Sequence, residues 1–177
     1  MTCYATFETA LGWAGLAWNE AGLTGVRLPT GSCAAARTQL AERFGGAEAE
    51  PDDNARAAIS EIRRLLGGEK VTMSAIRLDL SRTPEFHARV YEIARAIEPG
   101  QTLTYGEVAL RLGDRLLAQS VGQALGKNPW PIVVPCHRVT GAGGKLGGFS
   151  APGGAVTKLK LLAIEGAAAA AQRDLFA

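Results

Sequence analysis

The sequence predicts an α+β protein in two parts. An N-terminal antiparallel sheet with helices occupies residues 1–82. It is joined to a mostly helical C-terminal domain, residues 83–177, containing a helix-turn-helix and a candidate reactive cysteine. Three observations predict this. β-rich runs alternate with glycine turns at the start of the chain. Helical spacing takes over after Ser81-Arg82-Thr83-Pro84. A single β-branched run, Ile132-Val133-Val134, then interrupts the helical part and delivers Pro135-Cys136-His137-Arg138-Val139.

At 177 residues the chain allows one domain, or a small domain with another appended. With 47% hydrophobic residues it has material for a sizeable core, and a net charge of +2 does not advertise a polyanion partner, although a local basic face fits within it. Cys3, Cys33 and Cys136 cannot all pair, and none stands at zinc-ligand spacing, so a reduced, cytoplasmic setting without a bound metal is expected. No apolar run approaches membrane-spanning length, and the start of the chain lacks a basic-then-apolar signal pattern.

Tyr4–Phe7, Gly12–Trp18 and Leu23–Leu28 read as strands of a meander. Ala34–Phe44 reads as a helix ended by Gly45-Gly46, and Glu48–Asp53 as an acidic loop. Asn54 is a candidate cap for a second helix through Leu66, closed by Gly67-Gly68. Met73–Leu80 alternates Ile76, Leu78 and Leu80 with Arg77 and Asp79, as a half-buried strand does. Trp13 and Trp18 read as core, and Cys3, Cys33 and His87 receive no role.

Thr83 is a candidate N-cap with Pro84 as first helical residue, and Phe86, Val90, Ile93, Ala94 and Ile97 recur at helical spacing until Pro99-Gly100. Thr104-Tyr105-Gly106-Glu107 has the form of a capping box opening a helix to about Leu112. Asp114 can cap the next helix, Arg115–Leu125. Two short helices across Gly113 suggest a helix-turn-helix, a pattern that by itself fits many packing units. Val156–Ile164 reads as a closing helix, with Lys158 inside it and Glu165 at its end.

Ile132–Val139 reads as a short buried strand between loops, stiffened by Pro135. An isolated cysteine is usually a small buried hydrophobe. Here a histidine and an arginine follow directly, and reactive thiols sit in electropositive surroundings that lower their pKa. Strand neighbours face opposite ways, so a Cys136–His137 pair needs the backbone to turn, or a bridging water. Glu165 is the distant carboxylate best able to orient the imidazole; a surface glutamate at a helix end is the competing interpretation.

Ile132–Val139 resembles the active-site signature of the O6-alkylguanine-DNA alkyltransferases, also called methylated-DNA–protein-cysteine methyltransferases. Tyr105-Gly106-Glu107-Val108-Ala109, Val121-Gly122, Gly126-Lys127-Asn128-Pro129, Gly147-Gly148-Phe149-Ser150 and Lys158–Gly166 fall in the family's order and spacing. The resemblance covers residues 84–166 specifically and residues 1–80 only in length and general pattern. It implies irreversible, single-turnover transfer of an alkyl group from O6-alkylguanine in double-stranded DNA to Cys136. No cofactor is implied, the target base leaves the stack, and a monomer is the default.

Onto this sequence the resemblance carries further roles. His137 takes the thiol proton through a water and Glu165 orients it. Asn128 orders the active-site turn. Tyr105 donates to the guanine ring nitrogen, and Lys158 supports Tyr105 or the thiolate. The Val139 carbonyl and the Ser150 amide read the base edges, and Phe149 lines the alkyl pocket. Arg138 ties the site to the helix-turn-helix, while Arg111, Arg115 and Lys127 are candidates for phosphate contacts. In relatives the second helix enters the minor groove and carries an arginine that fills the place of the flipped base. Gln119 occupies that position here, an uncharged and shorter residue, which predicts weaker DNA binding or slower base extrusion.

Two other readings compete. Alkyltransferase-like proteins sense damage without transferring it, but commonly carry tryptophan where this chain has Cys136. Gln119 leaves room for a transferase that binds duplex DNA weakly. A cysteine hydrolase needs a histidine facing sulfur and leaving group, plus oxyanion donors, and the adjacent His137 fits it badly.

Overall fold

The structure is a computed structural model and describes residues 1–146 and 154–167. The chain divides into two compact units. The first comprises Met1–Arg82 together with Pro129–Val133, and the second comprises Thr83–Asn128 and Val134 onward. The five residues Pro129–Val133 were expected to belong with the C-terminal part.

In the first unit, β1 (Cys3–Thr9), β2 (Gly12–Asn19) and β3 (Gly22–Thr30) form the expected meander, each strand longer than its apolar run. A two-residue strand, β4 (Ala47–Glu48), pairs parallel with β1 at the start of the expected acidic loop, giving the order β3-β2-β1-β4. Ala14–Trp18 of β2 is buried at every position, as befits a central strand covered on both faces. Trp18 is therefore core, whereas Trp13 is only half-buried.

Helix α1 (Cys33–Phe44) is capped by Ser32 and lays Leu40 and Phe44 against Tyr4 and Ala17. Gly15 and Gly25 permit this approach: a Cβ at Gly15 would stand 2.3 Å from Leu40 Cδ1, and one at Gly25 2.1 Å from the Phe44 ring. Helix α2 (Asp53–Leu66) buries Ile59, Ile62, Leu65 and Leu66. Its cap is Asp52, whose carboxylate accepts from Ala55 N, and not Asn54. Asn54 instead bonds both backbone groups of Arg77.

That bond helps explain why Met73–Leu80 is no strand. Arg77 and Asp79 spend their backbone groups on Asn54 and Leu23, leaving a single parallel bridge, Leu23 to Leu78. Leu80 is 44% exposed rather than on a buried face. Pro129 and Trp130 enter the same neighbourhood. Val26 N donates to Pro129 O at 2.8 Å, and the Trp130 indole donates to Leu23 O at 2.7 Å.

In the second unit, α3 (Glu85–Arg95) starts one residue later than expected, with Pro84 as the cap position and no side-chain cap from Thr83. The Pro84 carbonyl takes the first helical bond, from Ala88 N. α3 buries Val90, Tyr91 and Ala94. A two-residue strand, β5 (Leu103–Thr104), leads into α4 (Tyr105–Arg111), whose capping box between Thr104 and Glu107 forms as expected. Asp114 caps a 3-10 turn, Arg115–Leu117, that continues into α5 (Ala118–Gly126). The expected strand across Ile132–Val139 is absent. Ile132 takes φ 75°, and Cys136–Arg138 form a 3-10 turn before β6 (Val139–Thr140), which pairs parallel with β5. Helix α6 (Gly154–Ile164) closes the unit. Among the described residues no helix is long and apolar enough to cross a membrane.

Candidate active site

The backbone turn at Cys136 decides the geometry. A strand would point Cys136 and His137 to opposite sides, whereas the 3-10 turn keeps both inside. Cys136 N donates to Val134 O at 2.8 Å and Arg138 N to Pro135 O at 2.9 Å, so the turn holds itself. Asn128 Nδ2 donates to Val134 O at 2.9 Å and its side chain also bonds the sulfur. Asn128 thus ties the residues before the cysteine to the end of α5.

His137 is fully buried, and its Nε2 lies 2.7 Å from Glu165 Oε1. A carboxylate accepts, so Nε2 carries the proton and Nδ1 is left as a lone-pair acceptor. Nδ1 is buried with no hydrogen-bond partner among the described residues. Burial holds the imidazole below its ordinary value, with Arg138 and Lys158 adding to this against the pull of Glu165. The histidine is therefore a neutral base at neutral pH.

Arg138 is buried and not at a DNA-facing surface. Its Nε donates to Glu165 Oε2 at 3.0 Å, its Nη2 to Oε1 at 2.8 Å, and its Nη1 to the Ile97 carbonyl at 2.6 Å. The expected tie to the helix-turn-helix is instead a tie to Glu165 and to the residues just beyond α3. Burial pushes the Glu165 carboxyl up, but hydrogen bonds from His137 and Arg138 outweigh it and hold it at about 2. With His137 neutral, Arg138 is the countercharge that keeps Glu165 ionised.

Lys158 is buried completely. Its Nζ donates to Val139 O at 2.6 Å and Leu146 O at 2.5 Å, and stands 5.8 Å from the Tyr105 ring centroid. Burial lowers its pKa to about 8, partly offset by the Cys136 sulfur. The lysine clasps both ends of the segment after the cysteine and sets a positive charge near the thiol. Burial and the Cys136 charge push the Tyr105 phenol up, so it remains a donor.

The thiol departs from expectation. Burial raises the Cys136 pKa, and the lowering from Asn128, Lys158 and the backbone amides does not cancel it. At rest the sulfur is a protonated thiol, and a base must act for it to react.

Gln119, Arg111, Arg115 and Lys127 are all exposed on the α4–α5 part of the unit. Phe149 and Ser150 lie outside the described residues. The Arg138–Glu165 pair was missed from sequence; its partners are 27 residues apart and no spacing rule links them.

The family model for the 6-O-methylguanine DNA methyltransferase DNA-binding domain matches residues 85–167. The methylated-DNA–protein-cysteine methyltransferase of Mycolicibacterium paratuberculosis is 38% identical over 98% of both chains. The chain belongs to this family. The crystal structure of Mycobacterium tuberculosis O6-methylguanine methyltransferase is similar to it at 35% identity, with a TM-score of 0.72 over the whole of both chains. The structure of the Mycobacterium tuberculosis protein in complex with DNA matches at 35% identity, with a TM-score of 0.71 over 95% of this chain and 96% of that one. As a member of the methyltransferase family, this chain carries its candidate acceptor Cys136 within the matched domain.

Proposed function

We propose that this protein repairs DNA by moving an alkyl group from the O6 of guanine to Cys136, once per molecule. The observation that carries the proposal is the buried Nδ1 of His137, without a partner among the described residues and next in the chain to a buried thiol, while Nε2 is fixed on Glu165. That is a base with its proton on the far side.

The Cys136 thiol gives its proton to Nδ1 of His137, through a water. The sulfur attacks the alkyl carbon, the S–C bond forms and the C–O6 bond breaks. The departing guanine takes a proton at its ring nitrogen from Tyr105, a phenol kept protonated by burial. The imidazolium is stabilised by Glu165, which Arg138 keeps ionised. Lys158 favours the thiolate at the moment of attack and holds Val139 O for the base edge. The product is a thioether, which no group of the site can hydrolyse. The base reaches the sulfur only by leaving the duplex. Relatives whose printed names specify methylated DNA, or a complex with DNA, support DNA as the partner. A reduced acceptor thiol suits the cytoplasm.

Intact mass after incubation with duplex DNA bearing O6-methylguanine tests this. One methylene is expected to be added in wild type and none in Cys136→Ala. No addition with either the duplex or the free alkylated base would overturn the proposal.

A further inference from the structure

Leu116 is 89% exposed, and among the large hydrophobic side chains described only Met1 is more so. A lone exposed leucine is ordinary on a protein surface. This one is held in place and set in a particular row. Its N–H donates to Asp114 Oδ1 at 2.9 Å, and Leu117 N donates to Asp114 O at 3.1 Å, so the tip preceding α5 is ordered. α5 buries Val121, Ala124 and Leu125. That leaves Leu116, Gln119 and Gln123 exposed at spacings of three and four, one stripe without charge. Arg115 and Lys127 stand at its ends, and Arg111 is exposed at the end of α4.

The flank of α5 beside this stripe meets a residue of the reacting centre. A Cβ at Gly122 would lie 3.8 Å from the Tyr105 ring, the ring over which Lys158 stands. The helix therefore borders the site and presents a neutral stripe outward, with cations only at its ends. Phosphates suit the cations. Thymine methyls aside, the apolar surfaces a duplex offers a leucine are sugar edges and the base faces of an opened step, and apolar side chains are used elsewhere as wedges between steps.

On the repair reading above, we propose that Leu116 is the apolar wedge of this protein, parting the stack beside the lesion while Gln119 hydrogen-bonds the base left unpaired. The wedge supplies extrusion that the uncharged Gln119 does not supply alone.

The test compares single-turnover alkylation of wild type, Leu116→Ala and Leu116→Phe, on duplex DNA bearing O6-methylguanine and on free O6-benzylguanine. Leu116→Ala is expected to react with duplex about tenfold more slowly, with the free base within twofold of wild type. Its affinity is expected to keep the wild-type salt dependence, since no phosphate contact is lost. Leu116→Phe is expected to retain the duplex rate within about threefold. A duplex rate for Leu116→Ala within twofold of wild type overturns the wedge, as does an equal loss on both substrates or a phenylalanine variant as slow as alanine. Wild type that reacts with neither substrate overturns the repair reading and the wedge with it.

Discussion

At the scale of the residue, the site works by burying charges in a fixed order. Arg138 answers Glu165, Glu165 holds His137, and Lys158 stands apart on two carbonyls and an aromatic face. Because burial raises the thiol, the site does not store a thiolate; it makes one when needed. This gives the rate of alkylation a definite pH dependence. A free thiol reacts faster as pH rises through its own pKa. Here Lys158 loses its proton above about 8 and with it the charge that favours the thiolate. Reaction with free O6-benzylguanine is therefore expected to fall above about pH 8 and not to keep rising. Lys158→Met is expected to be slower at pH 7, by about tenfold or more if the charge supplies on the order of 1.4 kcal/mol, and to lose that alkaline fall. A wild-type rate that climbs steadily to pH 10 would sink this account. The motif named Cys136 and His137 in the sequence, and the family resemblance added Lys158. It said nothing of a buried arginine or a raised thiol, because those follow from desolvation by residues distant in the chain.

At the scale of the element, short-range signals were legible and long-range ones were not. The capping box at Thr104–Glu107 and the meander of β1 to β3 are local patterns, and they form where expected. The segment 73–80 shows the limit. Its alternation is that of a strand, but the backbone groups of Arg77 and Asp79 go to Asn54 and Leu23, partners that no local pattern reveals. Ile132 is similar: a β-branched residue in a run of valines reads as strand, yet it takes φ 75°, a conformation costly for such a residue and held only by its surroundings. The fit of α1 to the sheet also rests on contacts invisible in sequence. Gly15→Ala would drive a Cβ into Leu40, which is fully buried and cannot swing away. Gly25→Ala would meet Phe44, which is only half-buried at the end of the helix and can move. Gly15→Ala is therefore expected to cost about 1–3 kcal/mol by denaturant unfolding, and Gly25→Ala less. Equal costs would show that Leu40 relaxes as freely as Phe44.

At the scale of the whole molecule, the chain passes between its two units three times, after Arg82, after Asn128 and after Val133. The second and third passages enclose Pro129–Val133, which ends three residues before Cys136. Both ends of this excursion are tied. Asn128 bonds Val134 in the second unit, while Trp130 bonds Leu23 and Pro129 bonds Val26 in the first. Melting the first unit frees Trp130 and Ile132, and with them the backbone that feeds the cysteine turn. The two units should then unfold together, although each has its own core. Separate probes for each unit exist in the native sequence. Trp13, Trp18 and Trp130, the protein's three tryptophans, all lie in the first unit, whereas Cys136 lies in the second. In a urea titration, tryptophan fluorescence and mass-mapped labelling of Cys136 are expected to give one midpoint, the coincidence that marks a two-state transition. Trp130→Phe removes the indole hydrogen bond to Leu23 and is expected to shift both midpoints down together, by about 1–2 kcal/mol. If fluorescence shifts while labelling of Cys136 stays where it was, the Asn128–Val134 bond holds the turn unaided, and the first unit is no part of what keeps the thiol buried.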